Sequence, residues 1–321
     1  MLLLSKIKSN FENQMKNTSF SILLISLFLF SCGSKQEKKN DAEEKAPETM
    51  LSLLLSDKTG IDFKNELTAT ADNNILSYEY YYNGSGVAVG DINNDGLADI
   101  FFTGSNVDNK LYLNKSDLSF EDISKKAGIE KHQALATGVT MVDINSDGWL
   151  DIYVCQSGKF TPEKRANLLY INNKNNTFTE SAKSYGLNDM SYSTQSCFFD
   201  YDLDGDLDMY LVNHPVDFDN ANFLIQPNKG KVNVSDRLYK NNGDNTFTDV
   251  SEKAGIINYA FGLSVSAADI NQDGWPDIYI GNDYIEPDYL YINNHNGTFT
   301  ESLKKYIRRS ASPPSPRPSK P

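Results

Sequence analysis

The chain has 321 residues, 39% hydrophobic and 12% aromatic, enough for a large core, and a closed β architecture of this length can be one domain. A formal net charge of -13, from 43 acidic against 30 basic residues, argues against nucleic acid as a partner. Cys32, Cys155 and Cys197 supply neither a disulfide framework nor a C-x-x-C metal or redox motif.

Residues 20 to 30 form an apolar run, too short to span a bilayer, which needs about 20 helical residues, but suited to the apolar core of a signal peptide. Ser31-Cys32-Gly33-Ser34 follows at once and resembles a bacterial lipobox, whose cysteine is lipid-modified and becomes the mature N-terminus, although Phe30 departs from the pattern. Residues 1–32 are therefore expected to be a lipoprotein signal peptide, with Met15 a natural start and Cys32 the lipidation site. The alternative is a transmembrane anchor followed by an incidental cysteine. Residues 33–50 turn to Lys, Glu, Gln, Asn and Asp, too polar to order themselves, and read as a disordered spacer.

From residue 51 to residue 307 the chain repeats. Four acidic loops share the template D-x-(D/N)-x-D-G-x-x-D and open at Asp91, Asp143, Asp200 and Asp269. A β-rich run enters each loop: Val87 to Gly90, Val139 to Val142, Cys197 to Phe199 and Val265 to Ala268. A second run leaves it, starting at Ile100, Ile152, Met209 and Ile278. A third carries Leu-Tyr-x-Asn at Leu111, Leu169, Leu238 and Leu290, a fourth starts at Phe120, Phe178, Phe247 and Phe299, and a turn cue such as Ala127-Gly128-Ile129 follows. Four short strands per unit predict an all-β fold, a β-propeller of four-stranded blades. β-Helix repeats are much shorter, and helical solenoids need a 3.6 periodicity that is missing here. Residues 308–321 become a low-complexity Arg-, Ser- and Pro-rich tail. Four repeats are visible, and they read as an incomplete ring of a larger, about seven-bladed propeller, the tail being a truncation or frameshift. A complete four-bladed domain with a disordered tail is the alternative.

Loop positions 1, 3 and 5 offer side-chain oxygens: Asp91, Asn93 and Asp95; Asp143, Asn145 and Asp147; Asp200, Asp202 and Asp204; Asp269, Asn271 and Asp273. Position 7, occupied by Leu97, Trp149, Asp206 and Trp275, varies as expected of a residue that lends only its backbone carbonyl, and position 9, Asp99, Asp151, Asp208 and Asp277, closes the site. An all-oxygen set of flexible geometry selects Ca²⁺, about one per repeat. An EF-hand uses the same first positions but needs a glutamate at position 12, where this chain has Phe102, Val154, Leu211 and Ile280. Hydrogen-bonded turns without a metal would explain one such loop better than four alike.

These units resemble the FG-GAP or VCBS repeats of bacterial surface proteins and of the integrin α-subunit propeller, over roughly residues 80 to 307. The segment Tyr82 to Asp91 and the late loop Asn282 to Asp288 are similar to the bacterial group that carries an ASPIC/UnbV domain beyond its propeller. The resemblance implies that each loop joins strands one and two of its blade and binds one Ca²⁺ in a structural role. In a meander the strand-two-to-three connections, Thr103 to Lys110, Gln156 to Asn167, His214 to Arg237 and Gly281 to Asp288, then lie at the opposite end, where variable loops carry recognition.

Catalytic patterns are sparse: His132, His214 and His295 are scattered, no Gly-x-Ser-x-Gly occurs, and Cys155 and Cys197 fall in expected core strands. The expected function is thus a calcium-binding, lipid-anchored propeller, not an enzyme, at the bacterial outer membrane or cell surface, with a protein or glycan ligand. The alternatives are a non-catalytic part of a polysaccharide-processing enzyme or of an outer-membrane nutrient-uptake complex. Oligomeric state is not legible.

Overall fold

A computed structural model describes residues 51–129, 134–214, 234–283 and 287–306. The expected signal peptide, Cys32, the spacer, the tail, His132 and most of the connection after His214 lie outside the described residues. The chain divides into two compact units, Met1–Leu53 and Leu54–Pro321, and the architecture below belongs to the second. No described helix is long and apolar enough to cross a membrane.

Among the described residues sixteen strands form four antiparallel sheets, each a meander in chain order. The first holds β1 (Val87–Gly90), β2 (Asp99–Phe102), β3 (Lys110–Asn114) and β4 (Phe120–Asp122). The second holds β5 (Leu135–Val142), β6 (Asp151–Ser157), β7 (Leu168–Asn172) and β8 (Phe178–Glu180). The third holds β9 (Ser193–Phe199), β10 (Asp208–Asn213), β11 (Arg237–Asn241) and β12 (Phe247–Asp249), and the fourth β13 (Phe261–Ala268), β14 (Asp277–Asp283), β15 (Tyr289–Asn293) and β16 (Phe299–Glu301). This is the all-β, four-stranded-blade architecture that the repeats predict. First strands pack side by side around an axis, β1 on β5, β5 on β9 and β9 on β13, and no comparable packing among the described residues joins β13 to β1. The arrangement fits an incomplete ring.

The core lies between blades, which is why the strand runs are apolar on both faces. In β6, Ile152 and Val154 pack with Phe101 and Leu111 of blade one, while Tyr153 and Cys155 pack with Met209 and Leu211 of blade three. A third layer sets Tyr210 and Val212 against Ile278 and Ile280. Outer faces differ: Val87 and Val89 of β1 and Ser264 and Ser266 of β13 are exposed on the sides without a neighbouring blade.

Two details differ from the sequence expectation. The first strands β5, β9 and β13 begin several residues earlier than their apolar runs, because Ala136, Thr137, Gly138 and their counterparts are held by close approach of neighbouring first strands and not by hydrophobic alternation. A Cβ on Gly138 would lie 2.5 Å from the Thr194 carbonyl oxygen. The turn cue after strand four contains a single-turn helix, such as Ser124–Ala127, closed by Gly128 at φ 78°.

The first strand starts at Val87, so residues 51–86, expected within the repeats, contribute no strand to the four sheets. They cover other elements instead. Phe63 stacks on Phe102 at 5.0 Å, and Tyr112 Oη donates to Asp62 Oδ1 at 2.8 Å. Further along, Tyr78, Tyr80 and Tyr81 form a small apolar cluster with Leu135 and Phe261 of two different blades.

At the end of each blade away from the acidic loops, the residue before strand three ties back to strand two. Asn109, Asn167, Asp236 and Asp288 accept the backbone N–H of Gly104, Gln156, Asn213 and Asn282 at 2.7 to 2.9 Å. In blades two, three and four a tyrosine of strand two completes the tie, through Tyr153 to Asn167, Tyr210 to Asp236 and Tyr279 to Asp288. Blade one has Phe101 at that position, and the buried Asn109 Nδ2 is left without a partner. Phe101→Tyr is expected to restore the bond and stabilise the protein by about 0.5–1.5 kcal/mol, read as a higher denaturant midpoint at unchanged slope. A lower midpoint overturns this assignment.

Candidate functional site

Each acidic loop is the hairpin between the first and second strands of its blade, opening directly after the first strand and ending on the first residue of the second. Position 12 lies inside strands β2, β6, β10 and β14, so the flanking helices of an EF-hand are absent there. The turn needs two residues of positive φ. Position 6 is glycine, with φ between 84° and 97°, and a Cβ there would meet nothing, so backbone conformation and not space demands it. Position 4, which the template leaves open, also adopts positive φ in Asn94, Ser146, Leu203 and Gln272.

The carboxylate at position 1 organises the turn. Asp91 accepts the N–H of Asp95 at 3.2 Å on one oxygen and of Gly96 at 2.7 Å on the other. Asp143, Asp200 and Asp269 do the same with Asp147 and Gly148, Asp204 and Gly205, and Asp273 and Gly274. Position 3 in turn accepts from position 5 in three loops, through Asn93, Asn145 and Asn271. Position 5 accepts from position 7, whose residues Leu97, Trp149, Asp206 and Trp275 share no side-chain role. Alternate side-chain oxygens are thereby drawn to one side of the turn.

Position 9 is buried. One oxygen of Asp99 accepts the N–H of Ile92 at 3.0 Å and the other that of Asn114, at the end of β3, at 2.8 Å. Asp151 holds Ile144 and Asn172, Asp208 holds Tyr201 and Asn241, and Asp277 holds Ile270 and Asn293. These four carboxylates are almost fully enclosed, and desolvation pushes Asp151 and Asp208 up to about 7 against the pull of their backbone hydrogen bonds.

The asparagine that ends each Leu-Tyr-x-Asn run, which sequence reasoning left without a role, completes the frame. Its Nδ2 donates to the position 8 carbonyl, from Asn114 to Ala98, Asn172 to Leu150, Asn241 to Leu207 and Asn293 to Pro276. In two blades it also reaches the preceding blade, Asn172 to the Ile92 carbonyl and Asn293 to the Tyr201 carbonyl, both at 2.8 Å. The signal was its recurrence two residues after Tyr112, Tyr170, Tyr239 and Tyr291, all of which are buried.

The donor set fits a hard cation. In the third loop one ligand oxygen each of Asp200, Asp202 and Asp208 lies within 4.8 Å of the others, close enough to share one ion. Each carboxylate oxygen bonded to an amide keeps a second lone pair for a metal. The loops are not identical, however. In blade three Lys240 stands where the other blades have Leu113, Ile171 and Ile292, and its ammonium contacts Asp202 and, at 2.7 Å, Asp204. Burial works against the charge of Lys240, yet its bonds to the two carboxylates hold its pKa above the lysine range. Lys174 pairs with Asp147 at 3.3 Å, and His295, stacked on Trp275, lies 2.9 Å from Asp273.

A family model described as an FG-GAP-like repeat matches residues 91–154, 223–280 and 269–318. The chain carries FG-GAP-like repeats. The matches leave out residues 155 to 222, which hold the third acidic loop, although its hairpin repeats the same bonds. The chain is also similar to cartilage acidic protein 1, at 39% identity over 77 residues for the Xenopus tropicalis protein and 38% over 72 for the Homo sapiens one. The aligned stretches cover 24% and 22% of this chain but only 12% and 11% of those proteins.

Two measurements check this frame. Asn172→Ala leaves the Ile92 and Leu150 carbonyls short of a donor and is expected to cost about 1–3 kcal/mol in denaturant unfolding; a change within error shows that the inter-blade bond is not structural. For pH, Asp151 and Asp208 are raised above their ordinary 3.8 to about 7, so the stability they contribute is complete below 3.8 and lost as pH rises through about 7. In chelator the melting temperature is expected to fall over that window, and Asp151→Asn to flatten part of the fall. A profile as steep in the variant contradicts the assignment.

Proposed function

We propose that this chain is a calcium-stabilised β-propeller binding module, anchored through a lipid on Cys32 at the bacterial cell surface, that presents a protein or glycan partner with the end of its blades away from the acidic loops and does no chemistry itself. The observation that carries the reading is the repeated hairpin: four loops turn their acidic side chains to one side, each in front of a buried carboxylate. A bound Ca²⁺ would meet the side-chain oxygens of positions 1, 3, 5 and 9 and the carbonyl of position 7, and would offset the repulsion among the carboxylates. Its chemistry there is structural. The FG-GAP-like repeats, the similarity to part of cartilage acidic protein 1 and the apolar run ahead of Cys32 support the same reading, which keeps the chain with the ASPIC/UnbV-associated group.

Ser157 and His214 bear on the absence of chemistry. Ser157 Oγ lies 3.5 Å from His214 Nε2, but Tyr78 Oη bonds both, at 2.8 and 2.9 Å, and both residues are buried. Burial pulls His214 down to about 3, far below what a general base at neutral pH needs. Cys155 is fully buried, which raises its thiol pKa and leaves it inert.

Extracellular calcium modules bind at about 10⁻⁴ to 10⁻³ M, so 10 mM calcium is expected to add about 1.4–2.7 kcal/mol per site. Differential scanning calorimetry of the protein with calcium and with chelator reads this, and coincident melts would sink the calcium reading. Cys32→Ser is expected to abolish incorporation of labelled fatty acid and release the protein from the membrane fraction; persistent labelling refutes the anchor.

A further inference from the structure

On the axis where the first strands converge, at the end of the blades away from the acidic loops, lies a cavity of about 280 Å³. It is roofed by the segment around Tyr78 to Gly86 and walled by β5, β9 and β13. Among the described residues that line it none is Asp, Glu, Lys or Arg, and the one imidazole among them, His214, is kept neutral by burial. An ion entering it would lose water without gaining a counter-charge. Such walls favour a neutral occupant.

The polar groups on the walls have a direction. Thr137 Oγ1 donates its proton to the Ser193 carbonyl at 2.8 Å, and Thr194 Oγ1 donates to the Gly262 carbonyl at 2.9 Å. Both hydroxyls are then left as acceptors, and a ligand that satisfies them brings its own donors. Other hydroxyls occupy further first-strand carbonyls: Thr103 caps that of Thr137 and Ser85 that of Ala136. A peptide strand adding to these edges would find them taken.

One residue on the wall breaks the pattern of its repeat. Five positions ahead of the first loop aspartate the four blades carry Gly86, Gly138, Gln195 and Ser264. A Cβ on Gly86 would lie 2.6 Å from the Thr137 carbonyl oxygen, and one on Gly138 would lie 2.7 Å from Gln195 Oε1. The glycine of blade two thus makes room for the carboxamide of blade three, which can both donate and accept. Leu263, Leu135 and Tyr80 supply apolar surface beside it. Neutral walls, acceptor hydroxyls, a carboxamide and an apolar flank match one ring of a sugar, and the volume falls at the lower end for ligand pockets, roughly 300 Å³.

We propose that this axial cavity binds a neutral sugar residue of a glycan, whose hydroxyls donate to Thr137 and Thr194 and bond the Gln195 carboxamide. The inference rests on the binding-module reading and narrows its partner to a glycan. It is tested on the calcium-loaded full chain by saturation-transfer NMR and titration calorimetry with cellotriose, maltotriose, mannotriose, the anionic trigalacturonate and a neutral alanine-serine peptide. At least one neutral trisaccharide is expected to bind, and Gln195→Leu, which keeps the bulk and removes the amide, to weaken it about tenfold, the loss of one neutral hydrogen bond. The melting temperature of the variant should match that of the wild type. Thr137→Val is a second variant expected to weaken the same sugar. Binding that is unchanged in both variants, preference for trigalacturonate, or binding of the peptide and of no sugar overturns the proposal. Failure here with the calcium-dependent melt intact removes the sugar assignment alone, whereas coincident melts with sugar binding retained remove the calcium reading and keep this site.

Discussion

Asp99, Asp151, Asp208 and Asp277 each hold two backbone amides that are distant along the chain, one at the start of the acidic loop and one at the end of the third strand. Such a carboxylate fixes the hairpin against the sheet more tightly than strand pairing alone, because charge-assisted hydrogen bonds are roughly twice as strong as neutral ones. It also costs desolvation, visible in the raised pKa of Asp151 and Asp208. The blade therefore carries a conflict at its most enclosed polar point: the charged form makes the bonds and burial penalises the charge. A cation in the loop resolves the conflict on the proposed reading. Without one, the protonated form loses acceptor capacity just where two amides depend on it.

The chain shows partial answers of its own to the same conflict. Lys174, Lys240 and His295 each approach the position 5 carboxylate of their blade, from third-strand or adjoining turn positions. Lys240 goes furthest, since it displaces an apolar residue from strand three and serves the loop with the most acids, Asp200 to Asp208. Blade one has Asn93 on Asp95 instead, a neutral donor. Four copies of one template are thus different electrostatic environments, set in three of them by a side chain outside the template.

Much of the fold was legible because its rule is local and repeated. Template, flanking apolar runs and Leu-Tyr-x-Asn fix hairpin, third strand and packing within one blade, and four copies remove the ambiguity that any one leaves. What stayed hidden depends on neighbours. The early residues of β5, β9 and β13 include glycine, threonine and serine that break the apolar runs, and backbone approach between blades holds them, as Gly138 does against Thr194. The second task of Asn172 and Asn293 is a bond to the preceding blade, which no spacing within a repeat encodes. Position 9 looked like a ligand and is also a latch, a role set by burial that appears only when β3 lies against the loop. The residues ahead of Val87, expected within the repeats, form no strand of the four sheets, and some of them line instead a cavity at the blade end away from the acidic loops.

The tyrosines of that leading segment touch parts of the chain made long after them. Tyr78 bonds Ser157 and His214, and Tyr80 Oη reaches Asp283 Oδ2 at 3.3 Å across a sequence separation of 203 residues. Contacts that span so much chain close slowly. During synthesis the segment emerges before the strands it touches, and the bond from Tyr80 cannot form until β14 has been made. The axial end of the molecule is therefore tied in stages: Tyr81 finds Thr68 and Asn106 early, Tyr78 reaches Ser157 and then His214, and Tyr80 reaches Asp283 only with the fourth blade.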